Sequence, residues 1–266
     1  MSLGPPKEQV PMRFNRALVR QPSRTVVDGL SAAAHQKPTY DGVVREHTVY
    51  VGALREAGLT VDILTPLESF PDSIFLEDAA LVFSEAAIAL RPGAASRRGE
   101  VAEILPALKQ RFDRVIELVE GRVDGGDVLV TPDVVFIGQS ARTDEAGARA
   151  LIAALAKLDR KTIAVATPPG VLHLKSDCTL VGDDTILTTA RLAASGIFKG
   201  FRTLIVPEGE EPAANALHLN DRILMSQGYP RTHDLLAREA KVIALPTQEV
   251  AKIDAGLSCM SLRWHA

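Results

Sequence analysis

Asp124-Gly125-Gly126-Asp127-Val128-Leu129-Val130-Thr131-Pro132-Asp133-Val134-Val135-Phe136-Ile137-Gly138 reads as a polar bend, a short apolar strand, a tight turn and a second apolar strand. Proline and aspartate set the turn between the two strands. The pattern recurs. Ala79–Phe83 pairs with Ala87–Leu90. Cys178–Val181 turns at Gly182-Asp183-Asp184-Thr185 into Ile186–Thr189, and Leu217–Leu219 turns at Asn220-Asp221 into Arg222–Ser226. Four hairpins thus recur at spacings of roughly forty to fifty residues.

Helical periodicity fills the intervals. Asp41–Ala57 places Val43, Val44, Val51 and Leu54 on one face and stops at Gly58. Arg98–Phe112 is amphipathic, and Thr143–Leu158 starts at Thr143 as its expected N-cap. Single strands are expected at Val61–Leu64, Thr162–Ala166, Thr203–Val206 and Val242–Leu245. Pairing of Ala17–Arg20 with Met260–Arg263 would complete a fifth unit, close a ring and hide its edges. The expectation is one α/β domain over residues 1–266, with the first few residues outside the ordered fold.

The composition narrows the partners. A formal net charge of −3 gives no basic field to attract nucleic acid. Charge interrupts every apolar run, so no membrane span is expected, and Met1–Lys7 lacks the apolar core of a signal peptide. Cys178 and Cys259 make no disulfide framework, and a reducing cytoplasm with free thiols is expected. Exposed hairpin edges would permit a homodimer.

Phe70-Pro71-Asp72-Ser73-Ile74-Phe75-Leu76-Glu77-Asp78 sets three carboxylates among large apolar side chains, directly before an apolar strand. If the strand began at Phe75, Glu77 and Asp78 would point to opposite faces. Buried carboxylates are costly unless a cation meets them, and a guanidinium is their best geometric match.

Other candidates have ordinary readings beside the functional ones. Cys259, in Gly256-Leu257-Ser258-Cys259, is either a small buried hydrophobe or a nucleophile with a base nearby. His173 follows Pro168-Pro169-Gly170 and is either a satisfied core residue or an acid–base group at an element edge. Asp124 is a turn residue or a carboxylate that the Gly125-Gly126 bend aims inward. Arg97 and Arg142 are solvated residues near helix starts or forks for a ligand carboxylate. No histidine pair has metal-ligand spacing, so no structural zinc is expected.

These stretches, together with Arg91-Pro92-Gly93-Ala94, Ser96-Arg97-Arg98, Leu172-His173-Leu174-Lys175-Ser176 and Ala213-Ala214-Asn215, run in one order across nearly the whole chain. The chain resembles the dimethylarginine dimethylaminohydrolases of the guanidine-modifying, or pentein, superfamily. The resemblance implies a five-bladed pseudo-symmetric α/β propeller of ββαβ units with a central substrate channel. It makes Cys259 the nucleophile, His173 the general acid and base, and Asp124 the acid that accompanies the histidine. Glu77 and Asp78 fall on substrate-binding carboxylates. Asp72, Arg97 and Arg142 fall on contacts to the amino-acid end, and Ile253 on a backbone carbonyl for the substrate amine. A lid is implied around Arg20-Gln21-Pro22-Ser23. Methylated arginine would yield citrulline and a methylamine, with no metal or organic cofactor.

Three rivals share the ring. An arginine deiminase-like enzyme would carry a helical insertion that this chain is too short to hold. An amidinotransferase would pass the amidino group to an amine instead of water. A non-catalytic binding protein would have no need of cysteine, histidine and carboxylates together.

Overall fold

The hairpins and their returning strands build a closed ring of five small sheets. The structure, a computed structural model, describes residues 13–32 and 36–266; the first residues, expected outside the ordered fold, and His35 lie outside the described residues. The first unit contains β1 (Arg16–Arg20), α1 (Tyr40–Glu56) and β2 (Thr60–Leu64). The second contains β3 (Ala80–Val82), β4 (Ala87–Ala89), α2 (Glu100–Arg111) and β5 (Val115–Glu117). In the third are β6 (Val128–Val130), β7 (Val135–Gln139), α3 (Glu145–Ala156) and β8 (Thr162–Ala166). The fourth has β9 (Cys178–Leu180), β10 (Thr185–Thr188), α4 (Ala190–Ala194) and β11 (Arg202–Ile205). The fifth has β12 (Leu217–Leu219), β13 (Arg222–Ser226), α5 (Pro230–Leu236) and β14 (Lys241–Leu245). The chain then returns through β15 (Leu262–Trp264) to complete the first unit.

Within every sheet an antiparallel pair is followed by a parallel one, with the helix crossing between the parallel strands. β15 pairs with β1 with Arg16 opposite Trp264 and Leu18 opposite Leu262. The two ends of the chain thereby share one sheet, as the ring closure read from the sequence requires.

Burial explains why the units hold each other. Each apolar cluster straddles two neighbours. Leu81, Ile88 and Leu90 of the second unit pack with Val128, Ile137, Leu151 and Leu155 of the third. Leu129 and Phe136 of the third pack with Ile186, Leu192 and Phe198 of the fourth. Ile104 and Leu108 on α2 pack with Leu18, Leu262 and Trp264 of the first. No unit buries its apolar face alone, so the ring stands as a whole.

Two local expectations are corrected. Leu76–Asp78 is a 3-10 turn and not the start of a strand. α3 is capped by Asp144, whose carboxylate accepts the N–H of Gly147 at 2.8 Å, and not by Thr143. Thr143 is turned inward, where its hydroxyl donates to Asp127 at 2.6 Å. Aspartate wins the cap because it also accepts Arg122 N–H and pairs with the Arg122 guanidinium, each at 3.0 Å.

Candidate active site

Each unit's first strand is entered through a 3-10 turn: Leu76–Asp78, Gly125–Asp127, Leu174–Ser176, Glu211–Ala214 and Leu257–Met260. Four of these turns, or the residue just before them, supply the polar groups of one cavity. Its lining includes Asp78, Asp124, His173 and Cys259, together with Asp72, Arg97, Arg142 and Ile253. Of the sequence candidates only Glu77 is missing from that wall. The sequence reading did not find Leu30, Phe75, Leu172, Asp254 and Ala255, which complete it. Of these, Asp254 has a left-handed backbone (φ 53°), a conformation that aspartate tolerates at turns. The implied lid around Arg20–Ser23 does not line the cavity; Leu30, farther along, does.

The carboxylates are fixed by backbone donors before any ligand arrives. Asp124 accepts the Gly93 N–H at 2.6 Å with one oxygen and lies 2.9 Å from His173 Nε2 with the other. Asp78 accepts the Gly126 N–H at 2.9 Å and the Arg97 guanidinium at 2.5 Å. Asp72 accepts the Leu30 N–H at 2.9 Å, which ties the loop beside α1 to the cavity wall. Carboxylate oxygens have lone pairs beyond those so engaged, so all three still offer acceptor sites to a cation.

The sequence expects Gly125 and Gly126 to serve as a bend. The structure gives a different reason for them: neither has a positive φ. A Cβ on Gly125 would come within 1.9 Å of the Glu77 carbonyl oxygen, and one on Gly126 within 2.9 Å of the His173 ring. The glycines let three units converge at the centre of the ring.

Arg97 is buried, with 4% of its surface exposed. Its guanidinium meets Asp78, Glu100 at 2.8 Å and the carbonyls of Asp72 and Phe75 at 3.2 and 2.8 Å. Four protein partners therefore hold the fork that the resemblance assigned to the ligand. Glu77 points to Lys175 at 2.6 Å and to Arg263 at 3.3 Å. The 3-10 turn thus sends two adjacent carboxylates to different tasks: Asp78 to the cavity, and Glu77 behind it.

The charges set the protonation states. Burial opposes the charged form of His173, but the Asp124 hydrogen bond and the fields of Asp78 and Asp127 prevail and raise its pKa to about 9. The Cys259 thiol is raised as well, which keeps it neutral where the imidazole is charged. Burial, then the charges of Glu77 and Asp78, raise its thiol to about 12, against the lowering effect of the Gly256 N–H and Lys175. At neutral pH the resting site thus holds an imidazolium and a neutral thiol. Asp127, raised by burial, accepts Ser140 and Thr143 hydroxyls at 2.6 Å each and the Leu174 N–H at 2.9 Å, which anchors the histidine turn.

Among the described residues one group has ligand atoms close enough for a metal ion: Asp78, Asp124 and His173, within 4.8 Å of one another. A proton on His173 leaves that nitrogen no lone pair for a metal, and the same spacing suits a planar organic cation. A second hollow, lined by Asp133, Asp183, Asp184 and Phe201, lies at the opposite ends of the third and fourth sheets. No helix among the described residues is long and apolar enough to cross a membrane.

The sequence and the fold both have counterparts among known proteins. The family described as "N,N dimethylarginine dimethylhydrolase, eukaryotic" matches residues 28–191, more than half of the chain. The N(G),N(G)-dimethylarginine dimethylaminohydrolase of Pseudomonas aeruginosa is 39% identical over 254 residues, covering 94% of this chain and all of that protein. The enzyme of the same name from Streptomyces coelicolor is 34% identical over 95% of this chain and 98% of its own length. A solved structure of the Pseudomonas protein, a cysteine-to-serine mutant complexed with citrulline, superposes with a TM-score of 0.92, at 38% identity, over 95% of this chain and 100% of its own. The N-terminal domain of the arginine dihydrolase ArgZ, at 22% identity and a TM-score of 0.84, shares the fold over 93% of this chain and 97% of its own. On this evidence the chain belongs to the dimethylarginine dimethylaminohydrolase family.

Proposed function

We propose that this protein hydrolyses Nω-methylated arginine to citrulline and a methylamine, with Cys259 as nucleophile and His173 as proton carrier. One observation carries the reading: Cys259 and His173 line a single cavity with Asp72, Asp78 and Asp124. A binding protein would gain nothing from a thiol and an imidazolium so arranged, whereas a covalent hydrolysis needs both.

The electrostatics supply the order of events. A guanidinium held between Asp78 and Asp124 brings positive charge beside Cys259. It counters the carboxylate field that keeps the thiol protonated, so the substrate helps to activate its own nucleophile. As the thiol ionises its proton passes to water, and the thiolate attacks the guanidinium carbon to form a C–S bond in a tetrahedral adduct. His173, already protonated, gives its proton to the departing dimethylamine as the C–N bond breaks, and a thiouronium remains. Neutral His173 then takes a proton from water, the hydroxide adds to the same carbon, and the C–S bond breaks to release citrulline while the adduct's hydroxyl proton passes to the departing sulfur and restores the thiol. Water is the only co-reactant. Asp124 holds the imidazole in place through both proton transfers.

Asp72 and Arg142 suit the amino-acid end of the ligand, with the Ile253 carbonyl toward its amine. Arg97 acts on that end through Asp78 and the Asp72 and Phe75 carbonyls. Glu77 acts behind Cys259 and not on the ligand. The remaining parts of the reading are a cytoplasmic enzyme, a single catalytic domain and a homodimer, with no nucleic-acid partner.

A side-by-side assay of asymmetric dimethylarginine, monomethylarginine and arginine tests the reading. Citrulline is expected from the methylated substrates in preference to arginine. Ammonia release from arginine as the main reaction would favour the deiminase rival instead.

A further inference from the structure

The five entry turns occupy equivalent places in the ring, and four of them supply a polar group to the cavity. The turn before β12 supplies none: no described residue between 174 and 252 lines the cavity wall. That turn, Glu211–Ala214, ends at Asn215. The Asn215 carboxamide reaches both neighbouring units. Its Oδ1 accepts the Ser258 N–H at 3.2 Å, and its Nδ2 donates to the Lys175 carbonyl at 3.1 Å. Ser258 precedes Cys259, and Lys175 lies two residues beyond His173.

Only a primary amide carries a donor and an acceptor on one short planar end, and the two bonds together fix which way it faces. Gly256 is moulded to it. A Cβ there would lie 2.4 Å from the Asn215 Oδ1 and 2.5 Å from its Cγ. A second tie runs through Glu77, which accepts from Lys175 and Arg263, while Arg263 donates to the Ser258 carbonyl at 3.2 Å. The ionic tie reaches the two turns through long side chains. The amide holds both of them by the main chain.

We propose that Asn215 is a positioning residue that sets the separation of the Cys259 sulfur and the His173 imidazole without touching the substrate. The inference rests on reading those two residues as partners in one hydrolysis. Misplacing a reacting group by about 1 Å costs on the order of a hundredfold in rate.

The test compares Asn215→Ala and Asn215→Asp with Thr232→Val, which removes a 2.7 Å hydrogen bond to Glu210 in the same unit. Both Asn215 variants are expected to lose on the order of tenfold to a hundredfold in kcat for asymmetric dimethylarginine, with KM changed by less than about threefold. Aspartate fails as alanine does because it has no donor for the Lys175 carbonyl. Thr232→Val is expected to melt earlier at unchanged kcat. Hydrogen–deuterium exchange, which needs no turnover, should rise in the peptides covering 172–177 and 256–261 for the Asn215 variants and not for Thr232→Val. Unchanged kcat in Asn215→Ala, or unchanged exchange in either peptide, overturns the proposal. If the unaltered protein releases no citrulline, the hydrolase reading falls, and the exchange comparison by itself still decides the tie.

Discussion

His173 Nε2 and Asp124 Oδ2 stand 2.9 Å apart across the junction of the third and fourth units, and neither side chain has more than 13% of its surface exposed. This pair holds a proton in the resting protein. The folded pKa of about 9 lies above the ordinary 6.5, so the pair's contribution to stability is fully present below about pH 6.5 and is lost as pH rises through 9. The melting temperature should therefore fall between pH 6.5 and 9.5, and His173→Gln should remove that part of the slope. Asp124→Asn should bring the imidazole pKa down, as read by NMR titration, and lower kcat by roughly a hundredfold.

Arg97 is a second point of test, because it lines the cavity while protein groups hold its fork. A guanidinium buried against Asp78 and Glu100 leaves two unpaired carboxylates when it is removed. Arg97→Leu should destabilise the protein by about 3–5 kcal/mol in denaturant unfolding. Arg97→Lys should keep the charge, lose the bonds to the Asp72 and Phe75 carbonyls, and raise KM through a displaced Asp78.

His47, on α1, is buried at 5% exposure and its Nε2 has no hydrogen-bond partner. Burial lowers its pKa to about 4. A base depressed in this way stabilises the fold above about pH 6.5 and loses that contribution as pH falls toward 4. At pH 4.5 the loss from this one group is about 2–3 kcal/mol. His47→Leu should flatten the acid limb of a stability–pH curve measured by urea unfolding. An unchanged limb would place the acid sensitivity elsewhere.

The ring was legible because each hairpin carries its own apolar run and turn chemistry. The β12–β13 hairpin matches the read boundaries, Leu217–Leu219 and Arg222–Ser226. The closure of the ring followed from two leftover strands, at Ala17–Arg20 and near the C-terminus. What stayed hidden was short or non-periodic. α4 and α5 have five and seven residues, too few turns for a helical period to stand out. The divergence of Glu77 from Asp78 depends on Lys175 and Arg263, which are 98 and 186 residues distant from Glu77 in the chain. Cys259, His173 and Asp124 each had an ordinary reading alone, and it took the fold to bring them to one wall. Asn215 stands in a stretch that matches the family but carries no role in the sequence, since its two partners belong to other units.

The central claim is most directly tested by citrulline release from asymmetric dimethylarginine by the unaltered protein beside Cys259→Ser. The unaltered protein is expected to release citrulline and dimethylamine in equal amounts. Cys259→Ser is expected to react at a rate lower by at least about a thousandfold with binding retained. Equal rates from the two proteins, or no citrulline from the unaltered one, would contradict it.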